Sequence, residues 1–154
     1  MDGISLDSAI ILTGISRRTF WRRLAAGEVI RLKSDYRGRT ILSISSLAPL
    51  LLIPVDPEDY ALLIAADAGD PDAQNDLAQL FFEVGRHDAG LHWLQLATDQ
   101  GHADAMHNLA TLHLKGIGVA KDEAAGLMWL AKAATLGHQI AQAQVAALYA
   151  RKLL

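Results

Sequence analysis

The chain has 154 residues, 51% of them apolar, with no cysteine and a formal net charge of −3. That length suits one domain or two small ones with a real core. Without cysteine there are no disulfides and no thiolate metal sites, which fits a reducing cytoplasm. No apolar run approaches the ~20 residues that span a bilayer, and no basic-then-apolar leader opens the chain, so neither a membrane anchor nor a signal peptide is expected.

The small net charge conceals an asymmetry. Up to Ile53 eight Lys/Arg face four acids, a surplus of +4; from Pro54 onward six basic residues face thirteen acidic ones, −7. Halves of opposite sign point to two modules with different partners.

In chain order, Ser5 is placed to cap a short helix from Leu6 to about Thr13, and Gly14–Ile15 make a tight turn. Ser16 caps a second helix, "RRTFWRRLA", stopped by Gly27. "VIRLK" and "RTILSI" alternate around the turn residues "SDYRG", which predicts a β-hairpin with a buried Ile/Leu face. Ser45 or Ser46 should cap a last short helix through "LAPLLL", with Pro49 in its first turn. The seam is "IPVDPED", where two prolines interrupt any helix and Asp56–Pro57 reads as the cap and first residue of a new one.

Beyond the seam the chain shows only helical spacing, and it repeats. Four residues after Gly69, Gly101 and Gly137 stand Ala73, Ala105 and Ala141; eight after stand Leu77, Leu109 and Val145; eleven after stand Leu80, Leu112 and Leu148. Leu62, Leu94 and Leu130 lie seven before the glycines, and Trp93 and Trp129 eight before the last two. The period is 32 and then 36 residues, the difference falling where "KGIGVAKD" replaces the shorter "VGRHD". Two helices per period define a helical-hairpin solenoid, with glycines ending helices and Leu and Trp filling the layer between hairpins.

Two resemblances attach to these segments. "WLAKAATLGHQIAQAQVAALY" and "AGLHWLQLATDQGHADAMHNLATLHLKGIGVAKD", with "AADAGDPDAQNDLAQLFF", resemble the Sel-one-like repeats, relatives of the tetratricopeptide repeats. The resemblance implies an α-solenoid over 57–154 whose concave face binds protein and which has no chemistry of its own. "SLDSAIILTGISRRTFWRRLAAGEVI", the hairpin and "ISSLAPLL" resemble the excisionase/MerR-type winged helix-turn-helix over residues 1–53. The expected fold class is therefore mainly α: a small winged helix-turn-helix of short helices plus a β-hairpin, followed by the solenoid.

The second helix carries the functional signal. At 100° per residue Phe20 and Leu24 share the face toward the first helix, Arg22 points away from it, Arg18 nearly so, and Arg17, Trp21 and Arg23 flank them. Like charges at i,i+4 are unfavourable in an isolated helix, and a phosphate backbone reverses that. Arginine also forks onto guanine edges, and the amides at Ser16–Thr19 can meet a phosphate. Arg31, Lys33, Arg37 and Arg39 would line the wing. The expected partner is double-stranded DNA, and the expected role a non-enzymatic regulator or adaptor. The alternative is a protein-interaction scaffold whose helix-turn-helix does not touch DNA.

On the solenoid, His107, Asn108, Thr111 and His113 lie on first helices of repeats, which usually face the groove, and are candidates for protein contact together with Leu148 and Leu153. Six histidines show neither an i,i+4 pair nor a His–Glu–x–x–His frame, so no metal is expected. "GIGV" lacks a Gly–Lys–Ser/Thr ending and follows no strand, and no nucleophile–base set is visible, so no nucleotide, cofactor or catalysis is expected. His102 and His138 occupy one repeat position at helix starts, and Asp70, Asp88 and Asp122 are assigned as caps. The last helix, "HQIAQAQVAALYARKLL", shows no polar outer face, which suggests a homodimer or capture of another protein's helix. The acidic solenoid could turn away from DNA or fold back over the basic module.

Overall fold

A computed structural model describes residues 2–152; Leu153 lies outside the described residues. The chain is mainly helical with one small antiparallel sheet. Helix α1 (Leu6–Thr13) starts where the Ser5 hydroxyl accepts the Ser8 amide and ends at Gly14 in the left-handed conformation. Helix α2 (Arg17–Ala25) starts where the Ser16 hydroxyl accepts the Thr19 amide, and the chain turns at Gly27, again at positive φ. Phe20 is fully buried and Leu24 packs against the same cluster, so the expected inner face of α2 is the observed one.

The hairpin differs from the expectation. Strand β2 (Ile41–Ser43) pairs not along "VIRLK" but with β1 (Gly3–Ser5), in the register Gly3–Ser43, Ile4–Leu42, Ser5–Ile41. The other arm reaches β2 through a single bridge, Arg31–Leu42, and two flanking backbone bonds, Leu32 N–H to Ile41 O and Ser43 N–H to Ile30 O. The expected apolar face is buried in part: Val29 and Leu42 are in the core, Leu32 and Ile41 are half-buried and Ile30 is exposed. Gly3 makes this packing possible, because a Cβ there would stand 2.7 Å from Leu32 Cδ1 and 2.6 Å from Ile41 Cγ2. Helix α3 (Ile44–Leu47) is capped at Ser43 rather than Ser45 or Ser46, since β2 runs directly into it. The Ser46 hydroxyl instead accepts the Ile30 amide and donates to the Ser43 carbonyl. A 3₁₀ turn (Ala48–Leu50) absorbs Pro49, and the Leu52 amide then returns to the Leu12 carbonyl.

After Pro57 a 3₁₀ turn (Pro57–Asp59) leads into α4 (Tyr60–Ala68), with the Asp59 carboxylate accepting the Asp56 amide. Then come α5 (Pro71–Glu83), α6 (His87–Asp99), α7 (Ala103–Lys115), α8 (Glu123–Thr135) and α9 (Gln139–Lys152). α5 packs along α6 and α7 along α8, giving two complete hairpins between the single helices α4 and α9. Gly69, Gly101 and Gly137 all sit at positive φ where a helix ends, as the repeat spacing predicts. Asp70 and Asp122 cap α5 and α8, but Asp88 does not cap α6: that helix starts at His87, so Asp88 already lies in its first turn.

Close approach within each hairpin rests on a glycine the spacing did not single out. Gly90 in α6 faces Phe82 in α5, and 36 residues on Gly126 in α8 faces Leu114 in α7. A Cβ at Gly126 would lie 2.6 Å from Leu114 Cγ and 3.3 Å from the Ala110 carbonyl oxygen. One apolar cluster runs from Ile4, Leu12, Phe20 and Leu42 through Leu63, Phe81 and Trp93 to Leu109, so the segments on either side of the prolines share a core. A smaller cluster, including Met106, Leu130 and Ala141, closes toward the last helix. Gly126→Ala is expected to lower the melting temperature, because overpacking of about 1–3 kcal/mol exceeds the ~1 kcal/mol that alanine adds in helix propensity; a calorimetric melt checks the sign.

Candidate functional site

α2 presents an outward face of Arg18, Trp21 and Arg22, all exposed. Its flanking arginines are engaged by acids: Arg17 with Asp7 of α1, and Arg23 with Glu28 at 2.9 Å. Arg39 is drawn inward, at 2.7 Å from Asp35 and 3.4 Å from Asp67 of α4. Arg37 lies over the Tyr36 ring, and its Nε donates to the Tyr36 hydroxyl at 2.8 Å. Arg18, Arg22, Arg31, Lys33 and Arg37 therefore have no ion-pair partner among the described residues. The Ser16 hydroxyl accepts the Thr19 amide and donates to the Thr19 hydroxyl oxygen, and the amides of Arg17 and Arg18 belong to the first turn, which has no partner within the helix.

Arg39 belongs to the contact that locks the basic segment to the helical array. Asp67, only 7% exposed at its side chain, accepts the hydroxyls of Ser5 and Ser8, the latter at 2.6 Å, as well as Arg39. Folding back over the basic segment thus holds for Arg39 alone, while Arg18 and Arg22 stay open. At the turn over residues 34–39, burial would raise the Asp35 carboxyl, but the Arg39 side-chain and backbone hydrogen bonds outweigh it and hold it below the ordinary aspartate value. The same pairing raises Arg39, against a smaller opposing effect of burial.

Of the residues assigned to protein contact on the repeats, Asn108 and His107 hold one repeat to the next. Asn108 Nδ2 donates to Asn75 Oδ1 at 2.9 Å, and His107 Nε2 lies 3.0 Å from Gln144 Oε1 while its ring stacks on His138. Thr111 donates to its own helix at the His107 carbonyl, and His113 Nδ1 is buried with no hydrogen-bond partner among the described residues. Leu148 is exposed on α9. Trp93 is buried in the core, and Trp129 packs half-buried under Lys132.

Two further ladders join the repeats. His102 and His138 are helix caps: each Nδ1 accepts an amide, of Ala105 and Ala141, at 3.1 Å. Each Nε2 reaches back one repeat, to Asp72 at 2.6 Å and to Asp104 at 3.4 Å. Gln74 and Gln142 both donate to an alanine carbonyl of the preceding helix, Ala66 and Ala134. The signal was in the repeat spacing, since the members of each set stand at equal distances from their glycines. No cluster of three metal-ligating side chains occurs among the described residues, and no described helix is long and apolar enough to cross a membrane.

Within the helical array, residues 71–102, which hold α5 and α6, and residues 103–138, which hold α7 and α8, each match the Sel1 repeat. Among solved structures the chain is similar to a Sel1 repeat protein from Oxalobacter formigenes, with 28% sequence identity and a TM-score of 0.57 over 62% of this chain and 74% of that one. No curated protein matches the chain.

Two outcomes are expected of this junction. Asp67→Ala strands two hydroxyls and a guanidinium and should cost about 1–3 kcal/mol, read as a lower denaturant midpoint. Because the Asp35 carboxyl is held low, its contacts persist above the ordinary aspartate value and are lost as pH falls through the lowered one. The amide signals of Arg37 and Arg39, both bonded to Asp35 Oδ1, should titrate by NMR with a midpoint below that of free aspartate.

Proposed function

We propose that this protein is a non-enzymatic adaptor or transcriptional regulator: residues 1–53, as a winged helix-turn-helix, contact duplex DNA, and residues 57–154 hold a protein partner. The observation that carries this reading is the outer face of α2, where Arg18 and Arg22 stand exposed with no acid within ion-pair distance, while the arginines on its flanks are neutralised. An acidic protein with carboxylates to spare leaves these two guanidinium groups unpaired, and a polyphosphate supplies the missing charge. Arg31, Lys33 and Arg37 extend the same unpaired surface along the wing. α2 is the element sized for the major groove, with its apolar side closed by Phe20 and Leu24.

A second reading, a scaffold in which the basic segment only closes the end of the solenoid, is favoured by the Arg39–Asp67 contact and the continuous core. Fluorescence anisotropy with a mixed-sequence duplex separates the two. Phosphate contact predicts log affinity falling linearly with log salt, by about 0.9 per phosphate neutralised. The Arg18→Glu/Arg22→Glu variant should then bind at least about tenfold more weakly, with a slope shallower by about 2. Equal binding by parent and variant, or none at low salt, leaves the scaffold reading.

A further inference from the structure

The repeats show what belongs on the exposed side of α9. Twelve residues after their glycines stand Phe81, His113 and Tyr149; eleven after stand Leu80, Leu112 and Leu148. At position twelve Phe81 is fully buried, whereas Tyr149 is 68% exposed; at position eleven Leu80 and Leu148 are alike, 37% and 38% exposed. The difference at position twelve follows from what covers each helix. α5 is covered by α6, and α7 is covered by α8, but no described helix covers α9. Between α8 and α9 lies an apolar groove of about 360 Å³, lined by Leu127, Leu130, Val145, Leu148 and Tyr149. Leu127 and Leu130 of α8 stand where Leu91 and Leu94 of α6 stand one repeat earlier, and there the following helix, α7, is covered by α8.

The two helices that fill such seats share one pattern. Gly90, Trp93, Leu94 and Ala97 of α6 recur as Gly126, Trp129, Leu130 and Ala133 of α8. The glycine lies against position thirteen of the covered helix, Phe82 or Leu114. In α9 that position is Ala150, smaller than either, so an alanine would fit as well as a glycine. A second copy of this chain has no free helix of this kind among the described residues. The inner faces of its α6 and α8 are already packed in their own hairpins, and α4 is covered by β1 and α1 through Asp67.

We propose that the α8/α9 groove takes one amphipathic helix from a protein partner, of the pattern small–x–x–Trp–Leu–x–x–Ala, seated as α8 is seated on α7. This deepens the protein-binding half of the proposed function and is independent of the DNA-binding half. The probe is an acetylated, amidated peptide of residues 121–137, added in trans to the full chain. A free helix of that length is only marginally formed and must order on binding, so a 1:1 dissociation constant of about 1–100 µM is expected by calorimetry.

Leu148→Asp and Tyr149→Asp change exposed residues, and circular dichroism of each verifies the fold. Each should weaken peptide binding at least about tenfold, as should Leu130→Asp in the peptide, while duplex binding by the same proteins stays as in the parent. Absence of peptide binding by a monomeric parent overturns the proposal. So does binding indifferent to Leu148→Asp. Self-association of the parent that Leu148→Asp abolishes would also overturn it, because the occupant is then a second copy.

Discussion

A hairpin of two amphipathic helices has more apolar surface than its own contact can cover. Each repeat must therefore lean on a neighbour, and the ends of the array decide whether the whole is closed. In this protein the two ends are treated differently. At the first, Leu63 and Ala66 of α4 are buried in the cluster that also holds Ile4 and Phe20. Burying that surface brings a carboxylate, Asp67, into a nearly water-free site, which is tolerated only because two hydroxyls and a guanidinium meet it there. The contact that closes the array thus also fixes how β1, α1 and the turn bearing Arg39 sit on it, and through them the direction in which α2 faces.

The same contact divides the basic residues into two populations. Arg39 is spent on closure, and Arg17 and Arg23 are spent on local acids. What remains unpaired lies on the outer side of α2 and along residues 31–37, where the side chains of Arg31, Lys33 and Arg37 are exposed. Surface ion pairs contribute little to stability, so pairing Arg18 and Arg22 would have gained the fold almost nothing. Their lack of partners is a property of the surface rather than of the folding problem, and the surface is where a ligand acts.

Sequence patterns disclosed most of this fold for a definite reason: caps, positive-φ glycines and helical repeats are local or strictly periodic signals. Ser5, Ser16, Gly14 and Gly69 act as their types dictate. Three features escaped. β1 is three residues long, too short for alternation to register, and it pairs with a strand 38 residues away. Gly90 and Gly126 stand inside helices, where glycine ordinarily counts against the element; the reason for them, a facing Phe82 or Leu114, lies on another helix. Arg39 reads as one more wing cation because its partner Asp67 is 28 residues on. His107 and Asn108 were visible as polar groove residues, but their use as rungs between repeats follows from contacts 33 and 37 residues away.

Those rungs bear on what the open end can do. A terminal helix held only by apolar contact on one side would fray, and a frayed helix offers a partner no fixed shape. α9 is instead pinned near its start by three polar contacts: the His138 cap on Ala141, the His107–Gln144 bond, and the Gln142 bond to the Ala134 carbonyl. The first satisfies an amide that would otherwise be orphaned at the helix start, and together they set the register of α9 against α7 and α8. The apolar side bearing Val145 and Leu148 is then presented as a surface already in place, so an incoming helix bears the entropy of its own ordering without that of its seat. The first end of the array is closed by a buried charge and the last is held open in a defined shape by neutral hydrogen bonds, so the solenoid joins a cationic face to an apolar one at a fixed separation.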